Sequence, residues 1–378
     1  MNAFLQKTAT FARGHVVLMI ALLAAIVTSI AVPPDAAWRN YFDWKTLTCL
    51  FCTLAVVGAL RNILFFTMLS HSVVKLFRTT RMSILALCYI TFIGSMFIAN
   101  DMALLTFLPL GYYVLASTDN KRLTAFTFIM QNISANLGGM LTPFGNPQNL
   151  YLYTKFNIPT MEFMYIMLLP FAVSVAMITI CCIVFVKSTP LRIGYAPVKH
   201  YPVRMTIYLL LFALSVVIVF RFVPYPIGLA VIAGTLLVMD RKALKGVDYP
   251  LLLTFTAFFV FSGNMSRIAA VREVMEWLLG LDTLVFSTLS CQFISNVPSA
   301  ILLSQFTDNY RELLVGVNIG GTGTLIASLA SLITFSQYQR LHPGDTRRYL
   351  VMFTALNVLF LAVLLAVCSI FKLLIVDL

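Results

Sequence analysis

The chain has 378 residues, of which 60% are hydrophobic and 11% charged, and a mean hydropathy of +0.92. Soluble domains carry about 25% charged residues, so the composition excludes an ordinary soluble globular protein and points to a polytopic membrane protein. The formal net charge of +12 does not indicate nucleic-acid binding, because the bases are scattered along loop flanks and do not gather on one face.

Residues 1–45 read as an N-terminal helix and loop. Lys7 and Arg13 precede an apolar run from Val16 to Val32. Ser29-Ile30-Ala31 resembles a signal-peptide cleavage end, but the run is at the long end for such a segment and further spans follow, so it is taken as an uncleaved first helix. A span from Thr46 to Leu60 opens a first repeat, 46–187. Its Cys49-Leu50-Phe51-Cys52 lacks the βαβ context of a redox motif. An amphipathic segment, Arg61 to Arg81, follows.

The stretch from Met82 to Ser117 begins after Arg78 and Arg81 and ends before Lys121 and Arg122. Cytoplasmic charge signals at both ends predict a re-entrant hairpin, 82–117, broken at Asn100. Beside the break lies Asp101, in otherwise apolar surroundings. An ionisable group at membrane depth costs at least about 2.5 kcal/mol and marks an ion pathway or a proton relay.

A broken helix, 123–155, carries Asn136-Leu137-Gly138-Gly139 and then Thr142-Pro143-Phe144-Gly145-Asn146-Pro147-Gln148-Asn149. Two prolines and a glycine among polar side chains cannot continue an ordinary helix. The span from Met161 to Val186 completes this half. A cytoplasmic loop with Lys187, Arg192, Lys199 and Arg204 and two linking helices, Met205 to Phe220 and Ile227 to Met239, fill 188–248.

The same order of parts returns in 249–378. Tyr249 to Phe261 leads to an amphipathic segment, Ser266 to Gly280. A hairpin, 283–307, is broken at Ser295-Asn296-Val297-Pro298, and a second broken helix, 310–339, carries Asn318-Ile319-Gly320-Gly321-Thr322-Gly323-Thr324. Gly316-x-x-x-Gly320 equally suits close helix packing. Tyr349 to Phe371 is the last span.

This order predicts an all-α polytopic membrane protein of two inverted repeats, with about nine crossing helices, two re-entrant hairpins and two broken helices. Placing 18 of the 26 Lys and Arg on one side puts the N-terminus in the cytoplasm. The acids other than Asp101, Glu312 among them, read as loops or flanks. The four histidines form no spaced metal set.

Asn caps a helix and Pro fits its first turn, so Asn146 with Pro147 and Asn296 with Pro298 are expected to start half-helices inside the membrane. Their N–H groups favour anions, while carbonyls of the unwound turns coordinate cations. The predicted site joins Asn100, Asp101, Thr142, Pro143, Asn146 and Asn149 to Ser295, Asn296, Pro298, Asn318, Thr322 and Thr324. Gly145, Gly320 and Gly321 allow close backbone approach, whereas Gly94 and Gly234 lie in ordinary apolar runs and should tolerate a side chain.

At these breaks the chain, over roughly Thr46 to Arg340, resembles the ion transporter superfamily of arsenite permeases, D-type sodium-proton antiporters, citrate-metal symporters and divalent-anion sodium symporters. Ala99-Asn100-Asp101 is similar to the arsenite-permease hairpin tip. Asn136 through Pro147 is similar to the version shared by anion permeases and antiporters. The resemblance implies hairpin tips facing broken helices around a central site, and a homodimer moving its transport domains as elevators. The dicarboxylate branch carries Ser-Asn-Thr at both tips. The acid here, and Val297 in the second tip, argue instead for cation or proton coupling.

The expected function is an ion-coupled secondary transporter, with Asp101 taking H+ or Na+ and Na+ sets at Asn100, Asp101 and Asn146 and at Asn296 and Asn318. The substrate is a small inorganic or carboxylate anion or an oxyacid such as arsenite, and no other cofactor is expected. A bacterial inner-membrane location follows. A sodium-proton antiporter is the alternative. A membrane-embedded enzyme would need clustered catalytic groups, and a channel a charged ring or carbonyl filter; neither pattern is present in the sequence.

Overall fold

The computed structural model describes residues 15–74, 79–117, 120–190 and 201–372. Lys7, Arg13, Arg78, Arg192 and Lys199, counted among the cytoplasmic bases, lie outside the described residues, as does Lys75. The described residues are mostly helical, and among them there is no strand longer than an isolated bridge.

The first half runs α1 (Val16–Ala31), α2 (Trp44–Asn62), α3 (Phe65–Val74), α4 (Thr80–Ser95), α5 (Asn100–Ser117), α6 (Thr124–Gly138), α7 (Pro147–Lys155) and α8 (Thr160–Phe185). Then come α9 (Pro202–Val219), α10 (Tyr225–Met239) and the short α11 (Arg241–Lys245). The second half runs α12 (Tyr249–Ser266), α13 (Ala269–Leu281), α14 (Thr283–Ile294), α15 (Asn296–Leu303), α16 (Tyr310–Ile319), α17 (Leu329–Leu341) and α18 (Thr346–Ile370). Asp43, Asp240, Asp248 and Asp282 each cap the helix that follows by accepting a backbone N–H, so four acids placed in flanks have a local structural task.

Among the described residues four helices, α2, α8, α9 and α18, are long and apolar enough to cross a bilayer, and α12 with α13 adds a fifth if that pair, bent by 96°, is one span. Four shorter apolar helices, α1, α4, α10 and α14, accompany them. Only 28% of the apolar window of α8, α9 and α18 is buried, against 61% for α2. The former therefore present most of their surface outward, as lipid-facing helices do, while α2 is an interior support. The chain is an integral membrane protein.

The two broken helices occupy the centre. Every residue from Thr124 to Gly138 of α6 is buried, as are Glu312 to Ile319 of α16. Around them α4 packs on α5 and α6, and α14 packs on α15 and α16. The helices on either side of each predicted tip thus lie against each other and against α6 or α16 of their own half.

Two local expectations need correcting. Ser295, with φ +73°, is the residue before α15, and Asn296 is its first helical residue, so the cap stands one position earlier than read. Asn146 does precede α7, but its side chain makes no cap bond. The Pro147 ring already removes an N–H there, and the amide is used elsewhere.

Candidate functional site

The two hairpin tips share one hydrogen-bond scheme. Asn100 Oδ1 accepts the Asp101 N–H at 2.9 Å, and Asn296 Oδ1 accepts the Val297 N–H at 2.9 Å. Each asparagine thereby orders the first turn of its own half-helix. Four residues before each tip asparagine, a carbonyl accepts a threonine hydroxyl from the broken helix: Thr142 Oγ1 to Met96 O at 2.7 Å, and Thr324 Oγ1 to Gln292 O at 2.9 Å.

The broken helices are tied to each other across the centre. Asn146, at the start of α7, donates to Asn318 Oδ1 at 3.4 Å, while Ser328, at the start of α17, donates to Asn136 Oδ1 at 2.8 Å. Asn136 Oδ1 also accepts Asn100 Nδ2 at 3.0 Å. Asn318 Nδ2 donates to Asn149 Oδ1 at 2.6 Å, and Asn149 Nδ2 to the carbonyls of Gly139, Met140 and Thr142. This network satisfies carbonyls that the break in α6 leaves without helical partners, and an unmet buried group would cost about 1–3 kcal/mol.

The glycines fit where backbone segments meet. A Cβ on Gly145 would stand 2.4 Å from the Gly139 carbonyl oxygen, and one on Gly320 2.7 Å from that of Gly316. One on Gly321 would meet Asn296 Nδ2 at 3.0 Å. Gly94 is not the open position it was read as, since a Cβ there would lie 2.5 Å from the Phe107 ring; Gly234 has nothing within 4 Å.

Four half-helix starts converge on one cavity of about 40 Å³. Asn100 and Asp101 bring α5, Pro147 and Gln148 bring α7, Asn296 and Pro298 bring α15, and Ser328 and Leu329 bring α17. Each such start carries roughly half a positive charge from unpaired N–H groups. Asp101 is the acid in this lining, and among the described residues no base forms an ion pair with it. Its Oδ1 is buried without a hydrogen-bond partner, as are Asn146 Oδ1 and Gln148 Oε1.

Of the predicted site residues, Asn100, Asp101, Ser295, Asn296 and Pro298 line this cavity. Asn146, Asn149 and Asn318 form the frame behind it. Thr142 and Thr324 clamp hairpin arms, Thr322 closes its own turn onto Ile319 O, and Pro143 is buried in the break. Sequence reasoning passed over Gln148, Ser328 and the bonding role of Asn136. Aligning Asn136-x-Gly-Gly-x-x-Thr142 with Asn318-x-Gly-Gly-x-x-Thr324 sets Ser328 opposite Asn146 and was the available signal.

Glu312, read as a flank acid, is instead buried in the first turn of α16. It accepts the Leu284 N–H at 3.1 Å and pairs with Lys372 at 2.8 Å.

Half-helices that turn their starts toward one buried polar cavity are an arrangement found in secondary transporters. A family model for the citrate transporter matches residues 6–310, and the chain belongs to that family. A transporter of Methanocaldococcus jannaschii is 33% identical over 337 residues, covering 87% of this chain and 90% of its own. The inner membrane protein YbiR of Escherichia coli is 28% identical, over 85% of this chain and 87% of its own. The silicon efflux transporter LSI3 of Oryza sativa subsp. japonica is 29% identical over 38% of this chain and 30% of its own.

Proposed function

We propose that the chain is an ion-coupled secondary transporter of a small oxyacid or anion, with Asp101 as the coupling group. The observation that carries this reading is the meeting of four half-helix starts and one unpaired carboxylate in a single buried cavity. The helix starts favour negative or strongly polar groups. The carboxylate requires a cation or a proton beside them, and together they suit joint binding of substrate and coupling ion.

Size narrows the substrate. About 40 Å³ is room for one or two waters, so this state suits a small inorganic oxyacid better than a tricarboxylate. The rice relative, named for silicon efflux, supports an inorganic substrate.

The matching bonds of the two halves support two inverted repeats, the hairpins 82–117 and 283–307 being re-entrant and about nine helices crossing. Arg267, Arg311 and Lys372, from the smaller set of bases, pair with Asp35, Glu162 and the Asp282–Glu312 pair at loops and helix ends. That supports an outer face at this end and a cytoplasmic N-terminus, in a bacterial inner membrane. Alternating access by elevator motion of a homodimer is the corresponding mechanism.

Uptake into proteoliposomes under imposed H+ or Na+ gradients, over a panel from arsenite to citrate, tests the reading. Accumulation of a small oxyacid driven by one gradient is expected, and failure of every substrate to accumulate would reject it. The small cavity and its unpaired acceptors also favour a sodium-proton antiporter. In that case Na+ alone would collapse an imposed pH gradient with no substrate present.

A further inference from the structure

The matching bonds allow position-by-position comparison of the halves, and the match fails in chemistry at two places. Asp101 and Val297 hold equivalent positions, each donating its N–H to the preceding asparagine at 2.9 Å. Two residues after Asn146 stands Gln148, and two after Ser328 stands Ala330. At both places the first half supplies an oxygen and the second an aliphatic group.

Asp101 and Gln148 line the same cavity, and Gln148 is 1% exposed. Its Nε2 donates to Asn318 Oδ1 at 3.3 Å, which fixes the amide and leaves Oε1 as a buried acceptor with no partner. Asn146 Oδ1, also from the first half, is in the same condition. At the matching breaks of the second half the amide oxygens are all engaged: Asn296 Oδ1 accepts Val297 N–H, Asn318 Oδ1 accepts Asn146 and Gln148, and Gln292 Oε1 accepts the Thr324 N–H. Gln131 Oε1, Asn264 Oδ1 and Asn357 Oδ1 are also buried without a donor but do not line the cavity; Asp101 Oδ1 and Gln148 Oε1 belong to residues that line it together, and there they suit a cation or an acidic hydrogen.

We infer that the cavity holds a single site for one positive charge, H+ or Na+, built by the first half alone from the Asp101 carboxylate and the Gln148 amide oxygen. Gln148 sets its affinity, and the second half keeps the backbone frame without a second ion. One cation per chain then accompanies each transport cycle. This deepens the transport reading, on which it rests, by fixing the number of ions and a residue that binds them.

The test is cation binding to purified, detergent-solubilised chain, followed by calorimetry for Na+ and by proton release or uptake in unbuffered solution for H+. One cation per chain with a Hill coefficient near 1 is expected. Gln148→Ala should weaken Na+ binding, or displace the proton midpoint, by about tenfold or more. Gln148→Glu, which keeps the shape and adds a charge, should strengthen cation binding and covers the case in which the alanine variant fails to fold. Val297→Ala and Ala330→Ser should leave binding unchanged. Two cations per chain, no binding of either cation, or wild-type affinity in both Gln148 variants would each overturn the inference. Binding as expected in a chain that accumulates no substrate in proteoliposomes would overturn the transport reading and leave the site standing.

Discussion

The two hairpin tips are built alike and furnished differently. In each, an asparagine accepts the next N–H, a threonine of the broken helix holds the carbonyl four residues earlier, and the start of the second half-helix reaches across to the other half. Glycine recurs at equal spacing as well: a Cβ on Gly138 would meet Ser95 Oγ at 2.6 Å, and one on Gly320 would meet Cys291 Sγ at 2.9 Å, each partner five residues before its tip asparagine. Yet the first tip has an acid where the second has valine. The shared bonds are what breaking a buried helix demands, because every freed backbone group needs a partner. The unshared side chains carry the chemistry.

Removing the charge should break this comparison most completely. Asp101→Asn preserves shape and hydrogen-bonding capacity at the tip, so folded protein is expected at wild-type yield. Gradient-driven uptake should fall at least 100-fold, while exchange of labelled for unlabelled substrate across the same vesicles is less affected. Undiminished response to both H+ and Na+ gradients would show that coupling lies elsewhere. Asn296→Asp is not the mirror experiment, since it would disrupt the frame; Val297→Ala is, and it should change uptake less than twofold.

Backbone approach should matter in both halves. Gly145→Val and Gly320→Val place a Cβ within 2.4 Å and 2.7 Å of a carbonyl oxygen, a distance that backbone must yield to. Cation and substrate binding by the folded protein should drop by roughly tenfold or more in each, an overpacking cost of about 1–3 kcal/mol. Gly234→Val, with nothing within 4 Å, is the control and should bind as wild type. Equal tolerance at all three positions would mean that the breaks do not depend on close approach.

Much of this frame was legible in the sequence. Asn-Asp and Ser-Asn-Val-Pro in apolar stretches marked the helix starts at Asn100 and Asn296, and Pro143, Gly145 and Pro147 marked the interruption between Gly138 and Pro147, because those residues act locally on the backbone. Ser328 was not legible alone: serine is common, no proline follows it, and its importance lies in a bond to Asn136, 192 positions away. Gln148 looked like one more polar residue of a motif until its neighbours showed which of its atoms lacked a partner. Glu312 beside Arg311 has the pattern of a surface flank, and its burial depends on Lys372, distant in the chain and near in space.

The cross-half bonds should give smaller, matched effects. Ser328→Ala removes the 2.8 Å bond to Asn136 Oδ1, which keeps Asn100 as a donor, so about 1 kcal/mol of stability should be lost and transport reduced severalfold. Asn136→Ala deprives both Ser328 and Asn100 of their acceptor and should cost more than Ser328→Ala and Asn100→Ala each do alone. Thermal unfolding of the three variants in detergent measures this, and equal losses would mean that Asn136 does not join the halves.

The smallest effect is expected at the hairpin bases, which are also built differently. The first is held by uncharged groups and one Arg-to-carbonyl bond: Thr80 N–H to Thr189 O at 2.9 Å and Arg81 Nε to Val186 O at 2.7 Å. The second is held by Lys372, which reaches Asp282 at 3.2 Å and Glu312 at 2.8 Å. Partial burial pulls the Lys372 ammonium down, but hydrogen bonds to Glu312 and Asp282 outweigh it and hold the group above the ordinary lysine value. A raised value in the folded state means that this contribution is complete below the unfolded lysine value, near pH 10.4, and fades as pH rises through the folded one. Lys372→Gln should therefore lower stability by about 1–2 kcal/mol at pH 7, and the gap from wild type should close above about pH 10.5. Unfolding midpoints measured from pH 7 to 11 give the curve. A gap that stays constant to pH 11 would show that Lys372 holds the second hairpin by packing its stem and not by its charge.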